Sequence, residues 1–111
     1  MSRYPADFLH GTLETLVLKT LSGGPKHGYA IGAWIKDVTD STLEVEEGSL
    51  YPALYRMEKR GLIDAEWGTS ELGRRAKFYR LTRTGRQQLA SHTAAWADFS
   101  AAVNRILVKA T

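Results

Sequence analysis

The spacing of apolar residues predicts a mainly α chain with one small β-hairpin, and three observations carry that reading. Helical periodicity runs through four segments, strict alternation through two neighbouring ones, and a polar, glycine-bounded loop separates those two. The chain's 111 residues suffice for one domain with a real core. A hydrophobic share of 43% and a charged share of 24% are those of an ordinary globular chain, which excludes a disordered tail or a fibre.

The first helix is expected from about Leu9 to Leu21, with Leu9, Leu13, Leu16, Val17 and Leu21 on one face; Gly23, Gly24 and Pro25 end it. A second begins near His27 and Gly28, carries Ile31, Trp34, Ile35 and Val38 on its stripe, and fades at Thr39, Asp40 and Ser41. Leu43 and Val45 flank Glu44 in a piece too short for more than an edge strand or an extended connector. The third helix runs from about Gly48 to Arg60 and stops at Gly61. Leu50, Ala53, Leu54 and Met57 share its inner face, and Tyr51, Pro52, Tyr55, Arg56 and Lys59 its outer one. Pro52 is placed in about the first turn, where backbone amides have no helical partner.

The period then changes to two. Ile63, Ala65 and Trp67 alternate with Asp64 and Glu66, and Tyr79 and Leu81 with Phe78 and Arg80. These are two strands of a hairpin whose long tip holds Arg74 and Arg75, with Lys77 beside them; Trp34 and Trp67 are expected in the core. Thr82 is placed to cap a last helix from Arg83. On it Leu89, Trp96, Phe99, Val103 and Ile106 fall at three- and four-residue steps, with His92 in the gap, forming a coiled-coil-like seam. So long a helix overhangs a small domain and needs a partner.

Charge is uneven. Residues 1–55 carry a net −3, residues 56–86 a net +5 and residues 87–111 a net +1. A basic middle third suits a polyanionic partner. The order of helix, helix, helix, basic-tipped hairpin and long helix predicts a winged helix–turn–helix (1–82) followed by a C-terminal dimerisation helix (83–111). A helix of this kind fits the major groove of double-stranded DNA, and the hairpin tip reaches the backbone.

The segments 21–31 (LSGGPKHGYAI) and 46–58 (EEGSLYPALYRME), with Gly61-Leu62-Ile63 and residues 78–86 (FYRLTRTGR), resemble the PadR family of bacterial transcriptional regulators over nearly the whole chain. The single C-terminal helix is similar to the short branch of that family. The resemblance implies a homodimeric winged-helix repressor, often sensing a small molecule, and places Ser49, Tyr51 and Pro52 at the start of the recognition helix.

Several side chains keep two readings. Tyr51 contacts DNA or is a packing aromatic with its hydroxyl in water. Tyr55, Arg56 and Lys59 lie one turn on, and Arg56 reads guanine, touches phosphate or pairs with a nearby carboxylate. His27 and Tyr29 open a helix whose amides suit a phosphate, or His27 simply starts it. Arg74, Arg75 and Lys77 touch phosphates or line a solvated loop. Arg83 and Arg86 oppose the last helix's dipole unless a phosphate is near. Trp96 and Phe99 form dimer core, or a slot for a planar aromatic effector between two copies.

No cysteine is present, the histidines are scattered, and no nucleophile–base pair or phosphate-cradling loop occurs, so no metal, cofactor or enzymatic role is expected. No apolar run nears the ~20 residues a bilayer requires, and the N-terminus lacks a signal-peptide core, so a cytoplasmic chain is expected. The leading function is sequence-specific repression from a pseudo-palindromic operator. The other is a small-molecule-binding or protein-interaction dimer on the same scaffold.

Overall fold

The computed structural model describes residues 12–109. In chain order it contains α1 (Leu13–Leu21), β1 (Lys26–His27), α2 (Gly28–Val38), α3 (Glu47–Lys59), β2 (Ile63–Thr69), β3 (Arg75–Leu81) and α4 (Arg83–Asn104), followed by a π-helical turn over Arg105–Lys109. Leu9 lies outside the described residues. The three strands form one antiparallel sheet with β3 in the centre and β1 and β2 at its edges.

The inner faces of the helices meet over one core. Val17, Leu18, Ile31, Leu54 and Met57 are fully enclosed, and Ile63, Tyr79 and Leu81 close it from the sheet. Trp34, Leu43 and Val45 pack against it half-buried. The segment around Glu44 is therefore a connector, and the sheet's third strand comes instead from Lys26 and His27, which pair with Tyr79 and Phe78.

Helix ends follow from backbone chemistry. Gly61, at φ 75°, closes α3: its amide reaches the Glu58 carbonyl and the Leu62 amide reaches Met57, the two bonds of a Schellman cap. α2 ends the same way, with the Ser41 amide on the Lys36 carbonyl at 2.7 Å, but Asp40 (φ 52°) and Ser41 (φ 64°) hold the left-handed conformation that glycine adopts without cost. Pro52 is the sixth residue of α3 and so sits in the second turn, not the first. Lacking an N–H, it leaves the Gly48 carbonyl without its helical donor on an exposed face.

Thr82 joins hairpin to long helix. Its hydroxyl donates to the Gly61 and Leu62 carbonyls (2.6 and 2.9 Å) and accepts from the Gly85 amide at 3.0 Å. Gly85 is buried against the Leu62 backbone so tightly that a Cβ there would overlap the carbonyl oxygen. The first half of α4 then lies on α1, where Thr15 Oγ1 and His92 Nδ1 are 3.2 Å apart and Leu89 packs on the core. Among the described residues, none of α4 beyond His92 packs on the core cluster, and Trp96 and Phe99 are exposed.

Candidate nucleic-acid interface

The outer surface of α3 divides into three lines. Gly48, Pro52, Tyr55 and Lys59, at steps of four, three and four, form an exposed ridge opposite the buried Leu50, Ala53, Leu54 and Met57. Lys59 Nζ lies 5.3 Å from the centre of the Tyr55 ring and 3.5 Å from its hydroxyl. One flank carries Tyr51 and Glu58 and faces α2 and the sheet. The other carries Ser49, Arg56 and Arg60 and faces α1. There Arg60 Nη1 donates to Glu14 Oε1 at 2.8 Å, and Arg56 Nε stands 3.8 Å from Glu14 Oε2. Of the readings open for Arg56, the carboxylate contact is present, and the side chain remains half exposed.

Tyr51 combines packing with exposure. Its ring lies on the backbone of Gly28, where a Cβ would come within 2.5 Å of the Tyr51 hydroxyl, yet the residue is 44% exposed. Between α2 and α3 runs an open groove of about 290 Å³, lined by Gly28, Tyr29, Gly32 and Lys36 of α2, by Glu47 and Tyr51 of α3 and by Glu44 of the connector. Tyr29 stands well out of the surface.

His27 starts α2 from below the surface. Its Nδ1 accepts the Ala30 amide at 3.2 Å, which leaves the proton on Nε2, 3.4 Å from Glu71 Oε1 at the hairpin tip. Phe78 meets the ring edge-on at 5.3 Å. Glu71's own backbone amide and then the His27 ring hold its carboxyl below the usual carboxylate range. The tip is thereby tied back to the start of α2, a link between residues 44 positions apart that no sequence pattern announces.

The hairpin's cations are distributed differently from expectation. Only Arg74 lies in the turn; Arg75 and Lys77 belong to β3, because pairing continues out to Thr69 and Arg75. The Arg75 guanidinium stacks on Trp67 at 4.5 Å. Trp67 is not core: at 56% exposure it stands on the outer stretch of the hairpin, and Arg75 is its cover. Lys77 Nζ pairs with Glu58 Oε1 of α3 at 3.1 Å, and that contact raises the lysine's pKa. Burial pushes the neighbouring Tyr79 phenol up. Among the described residues, Arg74, Arg83 and Arg86 are exposed and enter no ion pair.

On the free half of α4, Trp96 and Phe99 face each other at 6.2 Å with a 44° tilt, and Val103 is half-buried. Ile106 falls in the wider π-helical turn with Leu107 and Val108, all exposed. Leu89, expected on the same seam, is engaged by its own domain. No cluster of metal-ligating side chains exists among the described residues, and none of their helices is long and apolar enough to cross a membrane.

The fold is similar to that of known proteins. A transcriptional regulator from Clostridium thermocellum superposes with a TM-score of 0.82 at 30% identity, covering 89% of this chain and 96% of that one. A PadR-like transcriptional regulator from Bacillus cereus gives 0.78 at 33% identity, covering 92% and 97%. An uncharacterized protein from Lysinibacillus sphaericus is 29% identical over 93 residues, 84% of this chain and 85% of its own length. Residues 17–91 match the model of the transcriptional regulator PadR-like family, a span from mid-α1 into α4 that takes in α3 and the whole hairpin. The chain belongs to the PadR-like family of transcriptional regulators, DNA-binding proteins rather than enzymes.

Proposed function

We propose that the protein is a cytoplasmic repressor that binds a pseudo-palindromic operator as a homodimer, through a winged unit of residues 1–82 and an assembly helix of residues 83–111. Each protomer lays α3 in a major groove, with the ridge of Pro52, Tyr55 and Lys59 and the flanking Ser49, Tyr51 and Arg56 toward base edges and phosphates. Arg74 and Arg75 of the hairpin meet the flanking backbone, while Lys77 supports α3 through Glu58. Tyr29 stands beside the groove, and His27 acts from behind by fixing the first turn of α2. Two recognition helices in one dimer stand about one helical turn of DNA apart, roughly 34 Å.

The observation that supports this best is the ridge itself. Four exposed residues in line on one helix carry an aromatic and a cation, with arginines on one flank and no described element covering them. A second observation supports an effector. The exposed Trp96–Phe99 pair sits where two α4 helices would meet, and a planar aromatic molecule held between two copies would spread the recognition helices and release the operator.

Fluorescence anisotropy against the duplex upstream of the protein's own gene, beside a scrambled duplex near ~150 mM salt, tests the reading. A preference of about a thousandfold or more for the native duplex is expected. Equal, weak binding to both, and to the other duplexes of a genomic selection, would overturn it in favour of a ligand- or protein-binding dimer.

A further inference from the structure

Glu14 is an acidic side chain on the edge of the surface assigned to DNA, and it is bound to two of the recognition helix's cations. Its oxygens lie 2.8 Å from Arg60 Nη1 and 3.8 Å from Arg56 Nε, and both arginines remain about half exposed. Glu14 itself is more enclosed than either. The cluster sits on the α1 side of α3, beside the ridge, where a major-groove helix passes the phosphate backbone.

From this we infer that Glu14 is a positioning residue for DNA binding: its carboxylate takes the place of a backbone phosphate for Arg56 and Arg60 and so restrains sequence-independent affinity. The inference rests on the reading of α3 as the helix that enters DNA. A guanidinium offers five donors in a fixed fork, and carboxylate and phosphate compete for the same geometry. While Glu14 holds them, the two arginines release few counterions when any duplex approaches. The geometry is uneven, and that matters. Arg60 is held at full hydrogen-bond distance, whereas Arg56 is at the limit of an ion pair and can turn to a base edge without first breaking a short contact. Glu14 thus restrains both cations, Arg60 more tightly than Arg56. It also sits next to Thr15, which meets His92 of α4 at 3.2 Å, so α1 carries the recognition helix on one side and the assembly helix on the other.

The test is salt-dependent binding of the full chain to its operator and to a scrambled duplex, for wild type, Glu14→Gln and Glu14→Asp, with a thermal melt of each. Glu14→Gln keeps shape and removes charge. It is expected to tighten binding to the scrambled duplex roughly fivefold, the worth of an exposed ion pair, and to lower the operator's advantage. The slope of log K against log salt should steepen by about one to two, near 0.9 for each phosphate newly engaged. Glu14→Asp keeps the charge and should stay near wild type. In an Arg56→Gln background the steepening caused by Glu14→Gln should fall by about half. A purely structural role would move the melting temperature and leave the slope alone. A folded Glu14→Gln with the wild-type slope, or one that weakens both duplexes, overturns the inference. So does an equal change in Glu14→Asp. If Glu14→Gln fails to fold, Glu14→Asp with a steepened slope does so too, and with the wild-type slope and advantage supports it. A wild type that binds no duplex in a salt-dependent way refutes instead the reading of α3 on which the inference rests.

Discussion

At the scale of single residues, the contact between Gly28 and Tyr51 joins the two helices of the helix–turn–helix at one point. Tyr51 lies where any Cβ on residue 28 would stand, 2.5 Å from its hydroxyl and 2.7 Å from two ring carbons. Gly28→Ala therefore drives the far end of a rotatable ring off α2 without touching the enclosed core. Gly28 is the first residue of α2, so the alanine changes helix propensity little, and the melt should stay within a few degrees of wild type. Operator affinity should fall about tenfold, because Tyr51 no longer points where the helix surface needs it. Wild-type melting together with wild-type affinity, read by anisotropy, would remove Tyr51 from the DNA face. Of the two readings available from sequence for this residue, the packing one is present in the structure. The ring packs and is still 44% exposed. Nothing in the spacing of residues 28 and 51 reveals that they meet, and the same holds for Glu14 with Arg60 and Glu71 with His27. Helical periodicity reports which face is buried, whereas pairs from different elements depend on how those elements cross.

At the scale of elements, what was legible had a strong period or a cap. The inner face of α3, the end of α3 at Gly61 and the cap of α4 at Thr82 all follow from local chemistry, and the structure contains each. β1 was missed because two residues have no period. The extent of the hairpin was underestimated because the pairing beyond Trp67, through Gly68 and Thr69 with Arg75 and Ala76, runs through small and polar residues with no apolar alternation. Pro52 lies a turn deeper in α3 than its usual preference suggests, which the exposed Gly48 carbonyl tolerates because water reaches it. Two predictions belong here. Asp40 occupies the left-handed position of the α2 cap at φ 52°, so Asp40→Gly should raise stability by about 0.5–1 kcal/mol, seen as a higher urea midpoint at unchanged slope. A lower midpoint would mean that the carboxylate does more in that turn than its backbone angle costs. Thr82→Ala removes the α4 cap and two bonds to the end of α3, costing roughly 1–2 kcal/mol. Thr82→Ser keeps the hydroxyl and should recover most of it; a serine variant as unstable as alanine would place the effect in the lost methyl group.

At the scale of the whole molecule, α4 has two halves with opposite demands. Its 22 residues extend about 33 Å, and the first half is fastened by Thr82, Gly85, Leu89 and His92 to the domain that made it. In the second half Trp96 is 52% and Phe99 63% exposed, and the apolar Ile106, Leu107 and Val108 of the following turn stand out further still. Leaving such side chains in water forfeits about 25 cal/mol for every Å² a partner could cover. In the dimer proposed above, a second copy would meet that demand with a matching surface, and two-fold pairing would also set the separation of the two α3 helices against DNA. Trp96→Lys tests this, because the Trp96 ring contacts Phe99 and is not among the described residues that pack on the core. The variant should keep its helical circular dichroism and scatter light as one chain, where wild type scatters as two. Its binding to scrambled DNA should persist, since α3 is intact, while preference for the operator collapses because one protomer reads only one half-site. Phe99→Asp should behave alike. A variant that keeps the mass of two chains would move the interface off this seam, and the spacing of the half-sites would then have to come from some other contact between protomers.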